Sequence, residues 1–282
     1  MGPSARKEAV RALQVEGLSE RQACRLAHCP RPTVRYKSCK TPDDEFVRDR
    51  LRCIAQERPR FGWRRLKILL KRENIMMNHK RLRRLYCEER LQVRPRKKRR
   101  VRLVRGNVSP APTRINEEWG LDFMHEYLMT KRKVRLLTIE DRFSREGLAL
   151  DPDFSLTSRR VIRTLDDIAA IRGYPCRLRV DNGPENVAGA MLQWSIDHNV
   201  LLHFIDPGKP AQNAWIESFN ARVRDEFLNV QIFWALQDLR LAADAWLTDY
   251  NEVRPHSSLN YLTPKEFAET LTTQLIPQLP AA

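Results

Sequence analysis

Apolar and polar side chains alternate through Trp119-Gly-Leu-Asp-Phe-Met-His-Glu-Tyr127, the period of a strand with one buried face. Residues 134–139 and 147–150 are further short β-like runs, and 176–180 and 201–205 predict two more strands. Between and after these the period becomes helical, over 157–172, 187–199 and 211–229. On the last helix Ile216, Phe219, Val223 and Phe227 fall at spacings of 3, 4 and 4, which predicts one buried stripe. Glu217 and Arg224, seven residues apart, share an adjacent face. Strands first, then strand–helix alternation, predict an α/β layer fold with a mixed sheet.

The first third has only helical periods. Residues 6–17 predict a helix stopped by Gly17, and Ser19 with Gln22 forms a capping-box pattern for a short helix with Ala23, Leu26 and Ala27 inward. His28-Cys29-Pro30 breaks it, and Pro32 suits the first turn of a third helix through Tyr36. Three short helices with a tight turn between the last two describe a helix-turn-helix, in which Arg31, Thr33, Arg35 and Tyr36 face DNA. A plain three-helix packing module has the same pattern. A second helical unit covers 43–91. Thr41-Pro42-Asp43-Asp44 is its N-cap signal, and 58–62 is a break. Trp63, Leu66, Leu69 and Leu70 form a core face, and Asn78 caps a last helix. There Leu82, Leu85 and Tyr86 are expected inside, with Lys80, Arg81, Arg83 and Arg84 outside.

Charge sharpens this division. The 282 residues carry 51 Lys+Arg against 35 Asp+Glu, a net charge of +16. Residues 1–113 hold 32 bases and 11 acids, whereas the remainder holds 19 and 24. A basic half joined to a mildly acidic half predicts a nucleic-acid grip attached to a separate module. Eight bases and no acid lie in residues 94–105. Such a run repels itself, so Arg96, Lys97, Lys98, Arg99 and Arg100 are expected in a linker ordered by phosphates, although a nuclear-targeting tract has the same composition. With 42% hydrophobic residues the chain is not of disordered type, and no long uncharged apolar run predicts a membrane span. The N-terminal residues lack a secretion signal, so an intracellular, cytoplasmic location is expected. The six cysteines contain no C-x-x-C pair, and Cys24, His28, Cys29 and Cys39 match no closed zinc spacing.

Candidate chemistry rests on three acids. Asp122 lies inside an otherwise apolar strand, where a charge is costly unless paired or metal-bound. Asp181 stands at a strand end before Asn-Gly, and Glu217 follows on a helix after 35 intervening residues. Singly, each has a plain structural role available: a hydrogen-bonding strand Asp, a turn, a solvated helical Glu. Jointly, they resemble a family pattern. Trp119-x-x-Asp122, Asp181-Asn-Gly-Pro-Glu185 and Gly208-Lys-Pro-x-x-Asn213-Ala-x-x-Glu217-Ser-Phe-Asn220 with Arg224 are similar to the bacterial insertion-sequence transposases of the retroviral-integrase superfamily. More specifically, the likeness is to the product of the second of their two overlapping reading frames. Tyr250-Asn-x-x-Arg254-Pro-His256, Thr263-Pro264-x-Glu266, Phe61-Gly-Trp-Arg-Arg-Leu and Asn78-His-Lys-Arg-Leu extend the likeness over residues 6–268.

That resemblance implies a ribonuclease-H-like catalytic core over 114–270 with Asp122, Asp181 and Glu217 as catalytic, metal-binding acids. It implies a helix-turn-helix over 1–40, a second DNA-binding unit over 41–93, a basic linker over 94–113 and a tail over 271–282. Three converging carboxylates favour Mg²⁺, with Mn²⁺ as substitute, and two such ions suit in-line displacement at phosphorus. Expected partners are double-stranded DNA with terminal inverted repeats, target DNA, further copies of the chain on DNA, and the first-reading-frame protein. The family implies DNA contact by Arg224 and orientation of the loop or of Glu217 by Asn213; Arg254 and His256 are expected to hold the site, to bind DNA, or to pack the C-terminal part. The chain departs from the family in the Phe-Met-His-Glu that follows Asp122, in Pro30 and Pro32 around Arg31, and in lacking leucine-zipper heptads. Two alternatives stand beside a transposase: a non-catalytic DNA-binding regulator of transposition, and a nuclease of the same fold.

Overall fold

The computed structural model describes residues 2–36, 44–93, 110–183, 185–206 and 213–275. The chain divides into two compact units, Met1–Arg50 and Leu51–Ala282. The first contains α1 (Pro3–Val15), α2 (Glu20–Leu26) and α3 (Arg31–Arg35), and α4 (Asp44–Glu57) crosses the division. Gly17, at φ +90°, follows α1 in the left-handed conformation that glycine reaches without a Cβ clash. The capping box forms as expected: the Gln22 amide donates to Ser19 Oγ, and the Ser19 amide donates to the Gln22 side chain. One expectation fails here. Leu26 is 61% exposed, and Cys24 takes the inward position beside Ala23, Val10 and Cys29. On a helix of seven residues one turn reaches the core, and that turn is centred on Ala23 and Cys24. Cys39, the Thr41-Pro42-Asp43 cap and the basic run of 94–105 lie outside the described residues.

In the second unit α5 (Trp63–Arg72) and α6 (His79–Glu88) bury Leu66, Leu69, Leu70, Leu82, Leu85 and Tyr86, while Trp63 is half-buried. Asn78 caps α6 by accepting from the Lys80 amide at 2.9 Å. Arg58, Arg65 and Arg72 bind Asp249, Glu226 and Glu266, so this segment seats on the C-terminal helices through ion pairs. The sheet has the order β3-β2-β1-β4-β5, from β1 (Glu118–Tyr127), β2 (Lys133–Asp141), β3 (Gly147–Asp153), β4 (Arg177–Val180) and β5 (Leu201–Phe204). The first three strands are antiparallel, while β4 joins β1 and β5 joins β4 in parallel, the mixed sheet that the pattern predicts.

Alternation on β1 sorts the two faces. Trp119 and Leu121 pack with α7 (Ser158–Arg172) and α8 (Gly189–Asp197), whose Val161, Leu165, Met191 and Trp194 share their core. Met124 faces α9 (Ala214–Val223) and α10 (Leu236–Glu252), with Ile216, Phe219, Val223, Phe227 and Tyr250. This is a ribonuclease-H-like core: helices on both faces of a mixed sheet. The predicted buried stripe is present, but the helix differs in its last turn. Residues Arg224–Leu228 are π-helical, a local widening that re-aims the residues it carries. Helix α11 (Pro264–Leu275) closes the described chain, running beyond the expected start of a tail at 271. No helix among the described residues is long and apolar enough to cross a membrane.

Candidate active site and nucleic-acid interface

Asp122 occupies the α9-facing side of β1, two residues from Gly120 and opposite Thr138. A Cβ on Gly120 would lie 2.0 Å from the Trp215 ring, so glycine there lets the start of α9 close onto the strand. This brings Asn220 to Asp122, where its side-chain amide donates to Oδ2 at 2.7 Å, while the Phe123 amide donates to Oδ1 at 2.8 Å. Burial pushes the Asp122 carboxyl up to about 6, reinforced by the charges of Asp181 and Glu217 and opposed by these two hydrogen bonds.

Asp181 follows β4 directly. The Gly183 amide and the buried Asn186 side chain donate to its Oδ1 at 3.0 and 2.7 Å, and Asn182 holds the turn by donating to the Ile205 carbonyl. Glu217 is exposed in the first turn of α9, where the helix dipole favours a negative charge. Strand centre, strand end and helix start thus direct three carboxylates into one another's fields. Among the described residues no three His, Cys, Asp or Glu side chains stand together closely enough to hold a metal ion as they are placed. The donor chemistry nevertheless fits a hard divalent cation: three carboxylates, of which Asp122 is held above its ordinary range chiefly by burial and secondarily by the charges of Asp181 and Glu217, both of which a cation would offset.

The basic residues divide more sharply. Arg224 is held by β1, donating to the Glu126 carboxylate and to the His125 carbonyl. Asn213, just before α9, is 5% exposed, and its Oδ1 has no partner among the described residues. Arg31 and Arg35 both bind Glu20 on α2, at 3.0 and 2.9 Å. Lys80 and Arg83 are exposed, and Arg84 is exposed beside Glu88. Arg81 corrects the expectation of four outward bases: it is half-buried and one of its guanidinium nitrogens is fully covered, so on this helix it stands at the edge of the packed face rather than on the outward one. Arg96, Lys97, Lys98, Arg99 and Arg100 lie outside the described residues.

Arg254 and His256 are packing residues. Arg254 is buried and donates twice to Glu226, at 2.6 and 2.7 Å, while His256 stacks edge-on to Tyr250 and burial holds its ring neutral, down to about 2. Three residues with direct contacts to the candidate site had no role assigned from sequence: Asn220, Asn186 and Glu126. Asn220 carries a local signal, since it follows Glu217 by one helical turn. Glu126 carries none, because its partner is 98 residues away.

Two models described as Integrase core domain match residues 112–210 and 198–264, and one described as HTH-like domain matches 42–99, the second helical unit. A 31.7 kDa protein of insertion element IS407 from Burkholderia multivorans is 44% identical over 251 residues, covering 89% of this chain and 91% of that protein. A 39.2 kDa protein of insertion element IS476 from Xanthomonas euvesicatoria is 39% identical over 275 residues, covering 97% of this chain and 80% of the other. Among solved structures, the HTLV-2 integrase catalytic core domain in complex with magnesium aligns over 58% of this chain and 99% of its own, at 18% identity and a TM-score of 0.44.

Proposed function

Since this chain belongs to the insertion-sequence transposases of the retroviral-integrase superfamily, we propose that it cuts the 3′ ends of its own element and joins them to target DNA, with Asp122, Asp181 and Glu217 as the acids that bind Mg²⁺. The chain is an enzyme of the transposase and integrase class, and the proposal concerns its chemistry, its cofactor and its residues. One observation carries it: a half-buried aspartate raised to about 6, facing two further carboxylates that the fold has brought from a strand end and a helix start. Glu226 is ion-paired with Arg254 and Arg65, whereas Asp122 has no cationic partner among the described residues.

Asp122, Asp181 and Glu217 would hold two divalent ions, Mg²⁺ or Mn²⁺, which when bound would supply charge stabilisation for displacement at phosphorus. The protein's own part is positioning. Asn220 and the Phe123 amide fix the Asp122 carboxylate, Asn186 and the Gly183 amide fix Asp181, and the α9 stripe of Ile216, Phe219 and Val223 anchors the helix that carries Glu217. Water attacks first and frees a 3′-hydroxyl, and that hydroxyl then attacks a second phosphodiester, so no protein nucleophile is required. Arg224 reaches DNA phosphate by exchanging Glu126 for it, and Asn213 orients the start of α9. The exposed bases of α6 grip the terminal inverted repeats, joined by Arg31 and Arg35 where these exchange Glu20 for phosphate. Several copies assemble on DNA, in the bacterial cytoplasm, with the first-reading-frame protein as a further partner.

Strand transfer of a labelled duplex carrying the element's end tests this. Asp122→Asn, Asp181→Asn and Glu217→Gln are expected to lower Mg²⁺-dependent joining at least about 100-fold, the scale of losing transition-state charge stabilisation, while DNA binding persists. Undiminished joining by any of the three removes that residue from the site. Cleavage without joining by the wild type identifies a nuclease, and binding without either identifies a regulator.

A further inference from the structure

On the same sheet face as Asp122 lies a cavity of about 180 Å³ that the reaction described above does not use. Its floor is Glu140 on β2, paired with Gly120 and therefore two pairs along the ladder from Asp122–Thr138, on the same face. Glu140 is 1% exposed; its Oε1 accepts from the Tyr250 hydroxyl at 3.3 Å, and its Oε2 has no partner among the described residues. Trp215 lines one wall, and its indole N–H is likewise buried without a partner. Ser218 and Ser258 add hydroxyls, and Arg145 and Arg222 add guanidinium groups. The volume far exceeds the roughly 15 Å³ that one water requires.

The charges here do not balance. Arg145 and Arg222 make no ion pair among the described residues, unlike most arginines of this unit. Glu140 does not neutralise them: burial pushes its carboxyl up to about 8 against the pull of both arginines, so at neutral pH it carries a proton, with its Oε2 unpartnered among the described residues. Arg145 is also held at φ +61°, a left-handed conformation costly for a residue with a Cβ. Two guanidiniums, an indole N–H, two hydroxyls and a carboxylic acid therefore converge with donors in excess. What such a set lacks is an oxyanion, and arginine forks match phosphate oxygens in pairs.

We propose that this cavity binds one phosphodiester of the DNA substrate, held by Arg145 and Arg222. This rests on the DNA-processing function proposed above, and adds a backbone contact behind α9 that is separate from the three acids.

Affinity of the full-length protein for the end duplex is measured between 50 and 200 mM salt, for the wild type and for Arg145→Gln/Arg222→Gln. Each neutralised phosphate contributes about 0.9 to the slope of log affinity against log salt. The double variant is expected to lose about that much of the slope. In a scan of single methylphosphonate linkages, one position is expected to weaken the wild type at least several-fold and leave the double variant unaffected. Should the double variant not fold, Arg222→Lys, which keeps the charge but loses the fork, takes its place in the same scan. Identical slopes and no coupled linkage overturn the proposal. So does a wild type whose melting temperature rises with inorganic phosphate while no linkage is coupled, which assigns the cavity to the free ion. A wild type that joins ends yet shows no coupled linkage refutes this site alone, whereas one that neither binds nor joins DNA refutes the function as well.

Discussion

Asp122 shows how a single side chain can be held against its own stability. Its carboxyl is raised from 3.8 to about 6 by burial and by two like charges, so the folded chain keeps a proton that the unfolded chain has released. The stabilising contribution is complete below about pH 4, declines as pH rises through 6, and is absent above it. Asp122→Asn removes the charge and retains an acceptor for the Asn220 amide. Without divalent ions the variant is therefore expected to be more stable than the wild type at pH 8, by on the order of 1–2 kcal/mol, with the gap closing towards pH 4. Urea unfolding at the two pH values measures this. Added Mg²⁺ is expected to raise the melting temperature of the wild type and to leave that of the variant unchanged. A variant no more stable than the wild type at pH 8 would mean that neither burial nor the neighbouring carboxylates penalise the Asp122 charge in solution.

At the scale of elements, the seating of α9 on β1 determines whether Glu217 reaches the other acids. Gly120 is the contact point, and the ring of Trp215 lies where a side chain would otherwise be. Gly120→Ala is expected to destabilise the protein by about 1–3 kcal/mol, the range for overpacking a close contact, and to lower joining more than DNA binding, because the displaced helix carries Glu217 and Asn220. Thermal melts and paired binding and joining assays separate the two effects. This element also marks the limit of what sequence alone shows. The stripe from Ile216 to Phe227 was legible because helical spacing is a local property, and strand β1 because alternation is. The π-turn at Arg224–Leu228 was not, since the spacing of its residues is that of an ordinary helix, nor was the capture of Arg224 by Glu126, which depends on a strand nearly a hundred residues earlier. The outward turn of Leu26 was hidden for a related reason: in a seven-residue helix, apolar spacing does not say which turn meets the core.

At the scale of the whole chain, the sequence places a net positive charge on residues 1–113 and a negative one on the rest, and the structure shows that this charge is not all available. Arg31 and Arg35 are tied to Glu20, Arg58, Arg65 and Arg72 to acids of the C-terminal helices, and Arg224 to Glu126. Counting bases therefore overstates the grip on DNA. Lys80 and Arg83, exposed on α6 within the segment that matches the HTH-like domain, are better placed to meet phosphates. If they touch the backbone alone, Lys80→Glu/Arg83→Glu weakens end-containing and unrelated duplexes to the same degree and lowers the salt slope by about 2, roughly one for each lost contact. Stability changes by no more than about 0.5 kcal/mol, as for surface substitutions elsewhere. Fluorescence anisotropy with the two duplexes, at matched salt, measures both quantities. Loss confined to the end-containing duplex would instead make α6 a reader of base edges and transfer the recognition of inverted repeats to the second helical unit.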